Sequence, residues 1–246
     1  MPDAGGVAGP GDPVVPGALN FRDVGGLPAD GGATRHGVLF RSGNLSLVRG
    51  PGRDALRDLG VRRIVDLRED AEIAFEPTRL GDLPIEIERV PLFAGSAASF
   101  FDADVTLDSL YRTIVEGSAP AIVQVVRSVV SAAPVLVHCT VGKDRTGVTI
   151  ALALAAVGVD EDAIVADYAR TETLLPAERN ARVLAYLQRS HPEARNLAEL
   201  ATRSPAPVMR GLLDDLHARY GSPVDFLRAH GLTDDELGEL RAILIE

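Results

Sequence analysis

The chain has 246 residues, a formal net charge of −10 and a hydrophobic content of 46%. This length and apolar content are enough for one full hydrophobic core, so we expect a single domain rather than two. The acidic charge argues against general nucleic-acid binding, because surfaces that follow a phosphate backbone are basic. The sequence holds one cysteine, which excludes an intramolecular disulfide and a zinc site built from clustered cysteines.

Residues 1–17 are rich in Gly and Pro and are predicted to form a disordered tail. They lack the pattern of a secretory leader, in which a charged segment precedes an apolar one, and no apolar run in the chain is long enough to cross a bilayer. We therefore expect one folded domain over residues 18–246, without a transmembrane segment and located in the cytoplasm. Export without a leader and the oligomeric state are left open by the sequence.

Short runs of apolar or alternating residues predict the strands of a sheet: residues 37–41, 62–67, 85–90 and 134–138. Helical spacing predicts helices between and after them: residues 53–59, 107–116, 120–132 and 146–157. Strands that alternate with helices are typical of a parallel sheet with helices on its faces. The sequence therefore predicts an α/β fold with a central, mostly parallel sheet, in which ligands bind at the carboxyl ends of the strands.

From Asp160 onward the chain is predicted to be helical. Asp160, Ser222 and Thr233 each stand where a helix N-cap is expected, and Thr233 is followed by Glu236 in the pattern of a capping box. Residues 176–203 are polar and are interrupted by a His-Pro step. This segment is predicted to be a pair of helices with modest contact to the core.

One ten-residue segment, from His138 to Gly147, reads HCTVGKDRTG and contains the single cysteine. It joins the predicted strand 134–138 to the predicted helix 146–157. Backbone N–H groups that curl into a nest before a helix N-terminus bind tetrahedral anions, because they are unpaired donors at the positive end of the helix dipole. The residues expected to bind phosphate are Thr140, Val141, Gly142, Lys143, Asp144 and Arg145.

The side chains of this segment suit phosphoryl transfer. The N–H donors and two cations, Lys143 and Arg145, favour the thiolate of Cys139, which is the nucleophilic form of a cysteine. The planar fork of Arg145 can hold two phosphate oxygens, and the Thr146 hydroxyl can donate a hydrogen bond to the sulfur. Without this context, a cysteine at a strand end is an ordinary small apolar residue. His138 is interpreted as a residue that hydrogen-bonds to the loop backbone, with a role as a base as the alternative.

This segment resembles the signature H-C-x5-R-[ST] of the cysteine-dependent phosphatases. More narrowly, it is similar to the H-C-x-x-G-K-D-R-T-G sequence of the bacterial atypical tyrosine phosphatases. Four other segments resemble the same family in order and spacing: NFRDVGG at 20–26, LFRS at 39–42, VDLR at 65–68 and IVADY at 164–168. The resemblance covers residues 18–246.

The resemblance implies the cysteine-phosphatase fold, with a helical lid over the active site at about residues 171–205 and a plain structural hairpin as the alternative for these helices. It also implies hydrolysis of phosphomonoesters, with tyrosine, dual or phosphoinositide specificity. In the mechanism expected from these residues, Cys139 attacks phosphorus and water hydrolyses the cysteinyl-phosphate while Arg145 holds the oxygens. No metal and no cofactor are expected.

Two aspartates compete for the role of the general acid that protonates the leaving group. Asp66 lies at the predicted carboxyl end of a strand, on the same edge of the sheet as Cys139, and Asp144 lies within the loop. For Asp66 the alternative is an ion pair or backbone cap that fixes Arg68 or the loop. The further candidates are Asp102, Asp104 and Asp108.

Three arginines, Arg22, Arg41 and Arg68, are distant from the loop in sequence but lie in the segments that carry the resemblance. We expect them to support the site as a positive basin in an acidic protein, with ordinary ion pairs as the alternative. Lys143 favours a substrate with more than one phosphate, or else it neutralises Asp144 and shapes the loop. The expected partner is a phosphorylated protein or a phosphoinositide.

Two other functions use similar residues. A sulfurtransferase or an arsenate reductase also has a cysteine loop, but arsenate reduction usually needs further cysteines and a sulfurtransferase does not account for Thr146. A non-catalytic module that binds phosphorylated ligands is the other alternative. It is disfavoured because Cys139 and Arg145 are both present.

Overall fold

The computed structural model describes residues 13–92 and 105–246. The strands are β1 (Arg22–Asp23), β2 (Pro28–Ala29), β3 (Gly32–Ala33), β4 (Leu39–Ser42), β5 (Arg63–Asp66), β6 (Glu86–Arg89) and β7 (Val135–His138). The helices are α1 (Gly50–Asp58), α2 (Asp70–Phe75), α3 (Leu107–Ala132), α4 (Asp144–Ala156), α5 (Glu161–Leu174), α6 (Ala177–Ser190), α7 (Leu197–Thr202), α8 (Ala206–Tyr220), α9 (Pro223–Ala229) and α10 (Asp234–Leu244).

Five strands form one sheet in the order β1-β4-β7-β5-β6, and β2 pairs with β3 in a separate hairpin. β1 is antiparallel to β4, whereas β4, β7, β5 and β6 run parallel. This arrangement confirms the predicted α/β fold with a mostly parallel sheet flanked by helices. His138 is level with Ser42 on one side and with Asp66 on the other, so the carboxyl ends of the three central strands meet at one edge.

The central strand β7 is buried on both faces, which is why it reads as a continuous apolar run. Val135 and Val137 pack into the larger core cluster with α3 and α4, whereas Leu136 points to the other face and packs with Phe40 and Leu56. α4 is almost entirely buried, as its Ala-rich sequence predicts. The loop between β7 and α4 is therefore anchored at both ends in the core.

The segment before β7 is helical in two parts, as the sequence predicts. α3 runs from Leu107 to Ala132 and is broken by a kink at Ser118, whose backbone angles are not helical and which lies two residues before Pro120. Proline lacks the N–H that an uninterrupted helix needs, so the break falls between the predicted helices 107–116 and 120–132. α3 is also the one helix in residues 13–92 and 105–246 whose length and composition would allow a membrane span, although no such segment was expected from the sequence; more than half of its apolar window is buried in the fold.

The C-terminal half is helical, as predicted, and the predicted caps are present. The side chain of Asp160 caps α5, that of Ser222 caps α9, and Thr233 forms a capping box with Glu236 at the start of α10. The predicted helical pair corresponds to α6 and α7, of which α6 buries only Leu187. Movement of this pair as a lid stays a prediction.

The folded part of the chain begins before Ala18, because Val15 is only 3% exposed and packs in the smaller core cluster with Phe21 and Phe40. This shortens the tail that the sequence predicts over residues 1–17. The part of that prediction that covers residues 1–12 lies outside the described residues. The general-acid candidates Asp102 and Asp104 also lie outside them.

Candidate active site

The cysteine lies at the carboxyl end of β7, directly before α4. Its side chain is 3% exposed, and the backbone N–H of Gly142 donates a hydrogen bond to Cys139 Sγ over 3.2 Å. The first turn of α4 begins at Asp144, five residues after Cys139, and the first N–H groups of a helix have no partner within the helix. The thiol therefore sits at a helix N-terminus inside a backbone loop, as the sequence predicts.

The first two carbonyl groups of the loop are held from outside it. His138 Nδ1 donates to the Cys139 carbonyl over 3.1 Å, and because a carbonyl can only accept, Nδ1 carries the proton. The backbone N–H of Asn44 donates to the Thr140 carbonyl over 3.0 Å, and the Asn44 side-chain amide donates to the same oxygen over 3.3 Å. Asn44 follows β4, so the neighbouring strand supplies this contact.

The next two carbonyl groups are held in the same way. Asn20 Nδ2 donates to the Val141 carbonyl over 3.3 Å and to the Gly142 carbonyl over 2.9 Å. Arg41 Nη2 donates to the Gly142 carbonyl over 3.0 Å. In a planar trans peptide the C=O and the following N–H point in opposite directions. Four consecutive carbonyls turned outward therefore turn the N–H groups of residues 140–143 toward the space above the thiol.

Position 142 requires glycine for two reasons, its backbone angle and its close neighbours. Its φ is +75°, in the left-handed region that disfavours a side chain. A Cβ built there would lie 2.4 Å from the carbonyl carbon and oxygen of Ser42. The loop can thus approach the end of β4 closely only with glycine at this position.

Arg145 is held by a carboxylate that the sequence analysis did not identify. Its Nη1 and Nη2 atoms donate to the two oxygens of Glu72 over 2.7 and 2.6 Å. Nη1 also donates to the Leu67 carbonyl over 3.3 Å, and Nη2 donates to Thr140 Oγ1 over 3.3 Å. Four of the five guanidinium N–H donors are thereby used. A grip on two phosphate oxygens needs two donors, so binding must release at least one of these contacts.

The charges of this pair are strongly coupled. Burial opposes ionisation of Glu72, but hydrogen bonds from Arg145 and Thr140 together with the Arg145 charge lower its pKa to about 2. Burial likewise opposes the charged form of Arg145, and Glu72 and the nearby Cys139 more than offset it, so the Arg145 pKa is raised. Arg145 therefore stays charged and oriented beside the thiol across the physiological pH range.

Asp66 lies at the sheet edge next to Cys139, but its two oxygens face Arg68. Arg68 Nε and Nη2 donate to them over 2.8 and 2.7 Å, and Asp66 is 2% exposed. Burial raises the Asp66 pKa, and the hydrogen bonds and charges of Arg68 and His138 outweigh it and lower that pKa. His138 Nε2 lies 3.6 Å from Asp66 Oδ2, and burial lowers the His138 pKa against the attraction of Asp66. This geometry corresponds to the ion-pair alternative for Asp66.

Asp144 accepts hydrogen bonds from two buried residues, Lys143 and Tyr111. Lys143 Nζ donates to Asp144 Oδ1 over 2.6 Å, and the Tyr111 hydroxyl donates to the same atom over 3.0 Å. Tyr111 is in turn 2.7 Å from the hydroxyl of Tyr168. Burial first, and then the Asp144 charge, raise the Tyr111 pKa well above its usual range, so Tyr111 stays a donor. The Asp144 side chain is 19% exposed, more than that of Asp66.

The other predicted residues lie around the loop rather than in it. Arg22 and Arg41 are fully buried on its outer side and pair with Asp167, at 2.7 and 2.6 Å, and Arg41 also donates to the Gly142 carbonyl, so these ion pairs belong to the support of the loop. Thr146 is buried at the start of α4, and its hydroxyl has no hydrogen-bond partner within residues 13–92 and 105–246. Its predicted bond to the sulfur stays a prediction. Asp108 is exposed in the first turn of α3.

Residues 13–246 match the model of a tyrosine phosphatase family. The chain belongs to this family. A triple specificity protein phosphatase PtpB from Mycobacterium tuberculosis is 30% identical over 94% of this chain and 98% of its own length. A putative tyrosine-protein phosphatase from Cupriavidus necator is 32% identical over 82% of this chain and 72% of its own length. The family confirms the resemblance that the HCTVGKDRTG segment carries, and the chain is a tyrosine phosphatase of the cysteine-dependent type.

Solved structures of related fold are more distant from this phosphatase. TpbA from P. aeruginosa has 17% identity and a TM-score of 0.40, over 82% of this chain and 96% of its own. The core catalytic domain of the PP-IP phosphatase SIW14 from S. cerevisiae has 17% identity and a TM-score of 0.37, over 66% of this chain and 85% of its own.

No group of three or more His, Cys, Asp or Glu side chains suited to a metal ion occurs in the described ranges. Of the residues that hold the loop or Arg145, the sequence analysis identified His138 and Arg41 as supporting residues and missed Asn20, Asn44, Glu72 and Asp167. Asn20 and Asp167 lie in segments that carry the family resemblance, but their partners are more than 100 positions away. Glu72 lies on the short helix α2, whose N-cap is a glutamate, so no usual capping residue marks its start.

Replacing Gly142 tests whether the loop depends on its close approach to β4. Gly142→Ala is expected to lower kcat/KM for an aryl phosphate by about 100-fold, because the clash displaces the N–H donors. Gly60→Ala is the matched control, since Gly60 also has a positive φ, +67°, but nothing lies within 4 Å of its Cβ position. Steady-state kinetics and thermal unfolding of both variants make the comparison. Wild-type kinetics in Gly142→Ala would contradict this account of the loop.

Proposed function

We propose that Cys139 is the nucleophile of a two-step hydrolysis of phosphomonoesters, chiefly phosphotyrosine in proteins. The proposal is based on the hydrogen bonds that keep the loop carbonyls pointing outward. These bonds turn the N–H groups of residues 140–143 toward Cys139. These donors and Arg145 can bind the three non-reacting oxygens of a phosphoryl group. The thiolate attacks in line, the alcohol or phenol leaves, and water then releases phosphate from the sulfur.

The donors are arranged before substrate binds, which is the condition for electrostatic stabilisation of a transition state. The equatorial oxygens of the transferring group gain hydrogen bonds without any rearrangement of the loop backbone. Only Arg145 must exchange a hydrogen bond, because its donors are used by Glu72, the Leu67 carbonyl and the Thr140 hydroxyl. The weakest of these contacts, the 3.3 Å bonds, are the ones that a dianion can replace at least cost.

We propose Asp144 rather than Asp66 as the general acid. Asp66 is buried, and Arg68 donates hydrogen bonds to both of its oxygens, so it has no path to a leaving group. Asp144 lies at the N-terminus of α4, four residues along the chain from Thr140, and its carboxyl group is partly open to solvent. The Tyr111 hydroxyl fixes one of its oxygens, which orients the other.

Substrate breadth follows from the same site. One relative is named a triple specificity protein phosphatase, and we propose that this chain likewise accepts more than one type of phosphorylated residue. A phosphoinositide phosphatase is the alternative, suggested by the second cation in the loop. It has less support because Lys143 is 1% exposed and its ammonium group donates to Asp144. A cytoplasmic location, expected from the sequence, stays a prediction.

The nucleophile is tested with Cys139→Ser. This variant is expected to lose about 10⁴-fold or more of kcat on an aryl phosphate while it still binds the substrate, because the loop donors and Arg145 are unchanged. The assay includes EDTA, and calorimetry measures the affinity for the substrate. Undiminished hydrolysis by Cys139→Ser would refute the mechanism. Wild-type enzyme that binds phosphotyrosine but does not hydrolyse it would instead support a binding module.

The general acid is tested with aryl phosphates that have good and poor leaving groups. Asp144→Asn is expected to lower kcat by about 100-fold on the poor leaving group and much less on the good one, since only a poor leaving group needs the proton. Asp66→Asn is expected to affect both substrates equally and to lower the free energy of unfolding by about 3 kcal/mol, because it leaves Arg68 buried without its partner. A selective loss in Asp66→Asn would reverse the assignment.

A further inference from the structure

The carbonyl group of Gly142 is held by the side chains of two different residues. It accepts from Asn20 Nδ2 over 2.9 Å and from Arg41 Nη2 over 3.0 Å, and both donors lie on the outer side of the loop. The peptide that carries this carbonyl also carries the N–H of Lys143. Because the two groups of a trans peptide point in opposite directions, the two donors set the direction of the Lys143 N–H.

One carboxylate on α5, that of Asp167, holds both donors: Arg41 directly, and Asn20 through Arg22. Asp167 Oδ2 accepts from Arg41 Nη1 over 2.6 Å, and Asp167 Oδ1 accepts from Arg22 Nε over 2.7 Å. Arg22 Nη1 then donates to Asn20 Oδ1 over 2.5 Å, which leaves the Asn20 amide nitrogen free to face the loop. Two paths therefore lead from Asp167 to the carbonyl of Gly142, one through Arg41 and one through Arg22 and Asn20.

The charges of this network depend on Asp167. Its four side chains are at most 2% exposed, and they place two guanidinium groups beside a single carboxylate. Burial opposes ionisation of Asp167, but the two arginines lower its pKa to about 2, whereas burial and the Arg41 charge lower the Arg22 pKa to about 10. Without Asp167 the two buried cations would repel each other, and neither would keep its orientation.

Two features indicate that this network orients the donors to the loop rather than stabilising the fold. Asn20 has a φ of +55°, the one positive φ of a non-glycine residue in the described ranges. Arg41 Nε is buried without a hydrogen-bond partner in those same ranges. Strained backbone and unpaired buried donors are unfavourable, and they persist where the surrounding structure needs a particular geometry. In this network that geometry is the direction of the donors toward the loop.

We infer that Asp167 is a positioning residue for phosphoryl transfer, which acts through Arg41, Arg22 and Asn20 on the direction of the Gly142–Lys143 peptide. Asp167 does not touch the phosphoryl group. Its effect is on the alignment of N–H donors that stabilise the transition state and the thiolate. This role rests on the proposed function, because it presumes that the loop around Cys139 binds the reacting group.

Asp167→Asn tests the inference, since asparagine keeps the shape and one acceptor but removes the charge. We expect kcat/KM on an aryl phosphate to fall by about 100-fold, as when one oxyanion donor is lost. We also expect weaker binding of inorganic phosphate and a shift of the pH profile of Cys139 alkylation by iodoacetamide to higher pH. Glu172→Gln is the matched control, because Glu172 is on the same helix and pairs with Arg203 over 2.9 Å. It should change none of these three readouts.

The path from Asp167 through Arg22 and Asn20 to the loop is tested with a double-mutant cycle between Asp167→Asn and Asn20→Ala. Residues that act through one chain of contacts give a double variant that is less impaired than the product of the two single losses. Asn20→Ala removes a loop donor without changing charge, so it also carries the test if Asp167→Asn does not fold. Independent effects of the two substitutions, or a lower Tm with unchanged kinetics, phosphate affinity and alkylation profile, would overturn the inference. Hydrolysis by Cys139→Ser would instead refute the proposed function.

Discussion

The direction of four consecutive peptide bonds is the constraint on which the active site depends. A loop that binds an anion through its N–H groups must turn every carbonyl to the opposite side, and those carbonyls are then buried against the protein. Donors from His138, Asn44, Asn20 and Arg41 satisfy them. Most of these donors come from the N-terminal strands and the turns beside them, so that half of the chain must be docked before the loop can bind phosphate.

The same requirement explains how an acidic protein builds a site for a dianion. Each cation that the sequence brings to the site is paired with a carboxylate: Arg145 with Glu72, Arg68 with Asp66, Lys143 with Asp144, and both Arg22 and Arg41 with Asp167. Five cations thus face four carboxylates. Most of the positive charge is therefore cancelled, and attraction of substrate depends on directed donors more than on net charge.

Sequence reasoning succeeded where a pattern is local. The buried strand 134–138, the Ala-rich helix after it and the cap at Thr233 follow from spacing and residue type, and so does the loop between strand and helix. It was less successful where contacts between residues far apart in the sequence determine the structure. Glu72 reaches Arg145 from the six-residue helix α2, whose N-cap is a glutamate and not one of the usual capping residues. The orientation of Asp66 depends on Arg68, whose identity was known from the sequence but whose direction was not.

The pairing of Arg145 with Glu72 connects binding to this charge balance. The carboxylate holds the guanidinium plane beside Cys139, which reduces the loss of conformational entropy on substrate binding. In the proposed mechanism a dianion binds the Nε–H, which has no acceptor within residues 13–92 and 105–246, and displaces one of the two 3.3 Å contacts, to Leu67 or to Thr140. Because Glu72 can keep its bidentate bond throughout, Arg145 changes partners without leaving its plane, and the full strength of its charge-assisted hydrogen bonds is available as the phosphoryl group transfers.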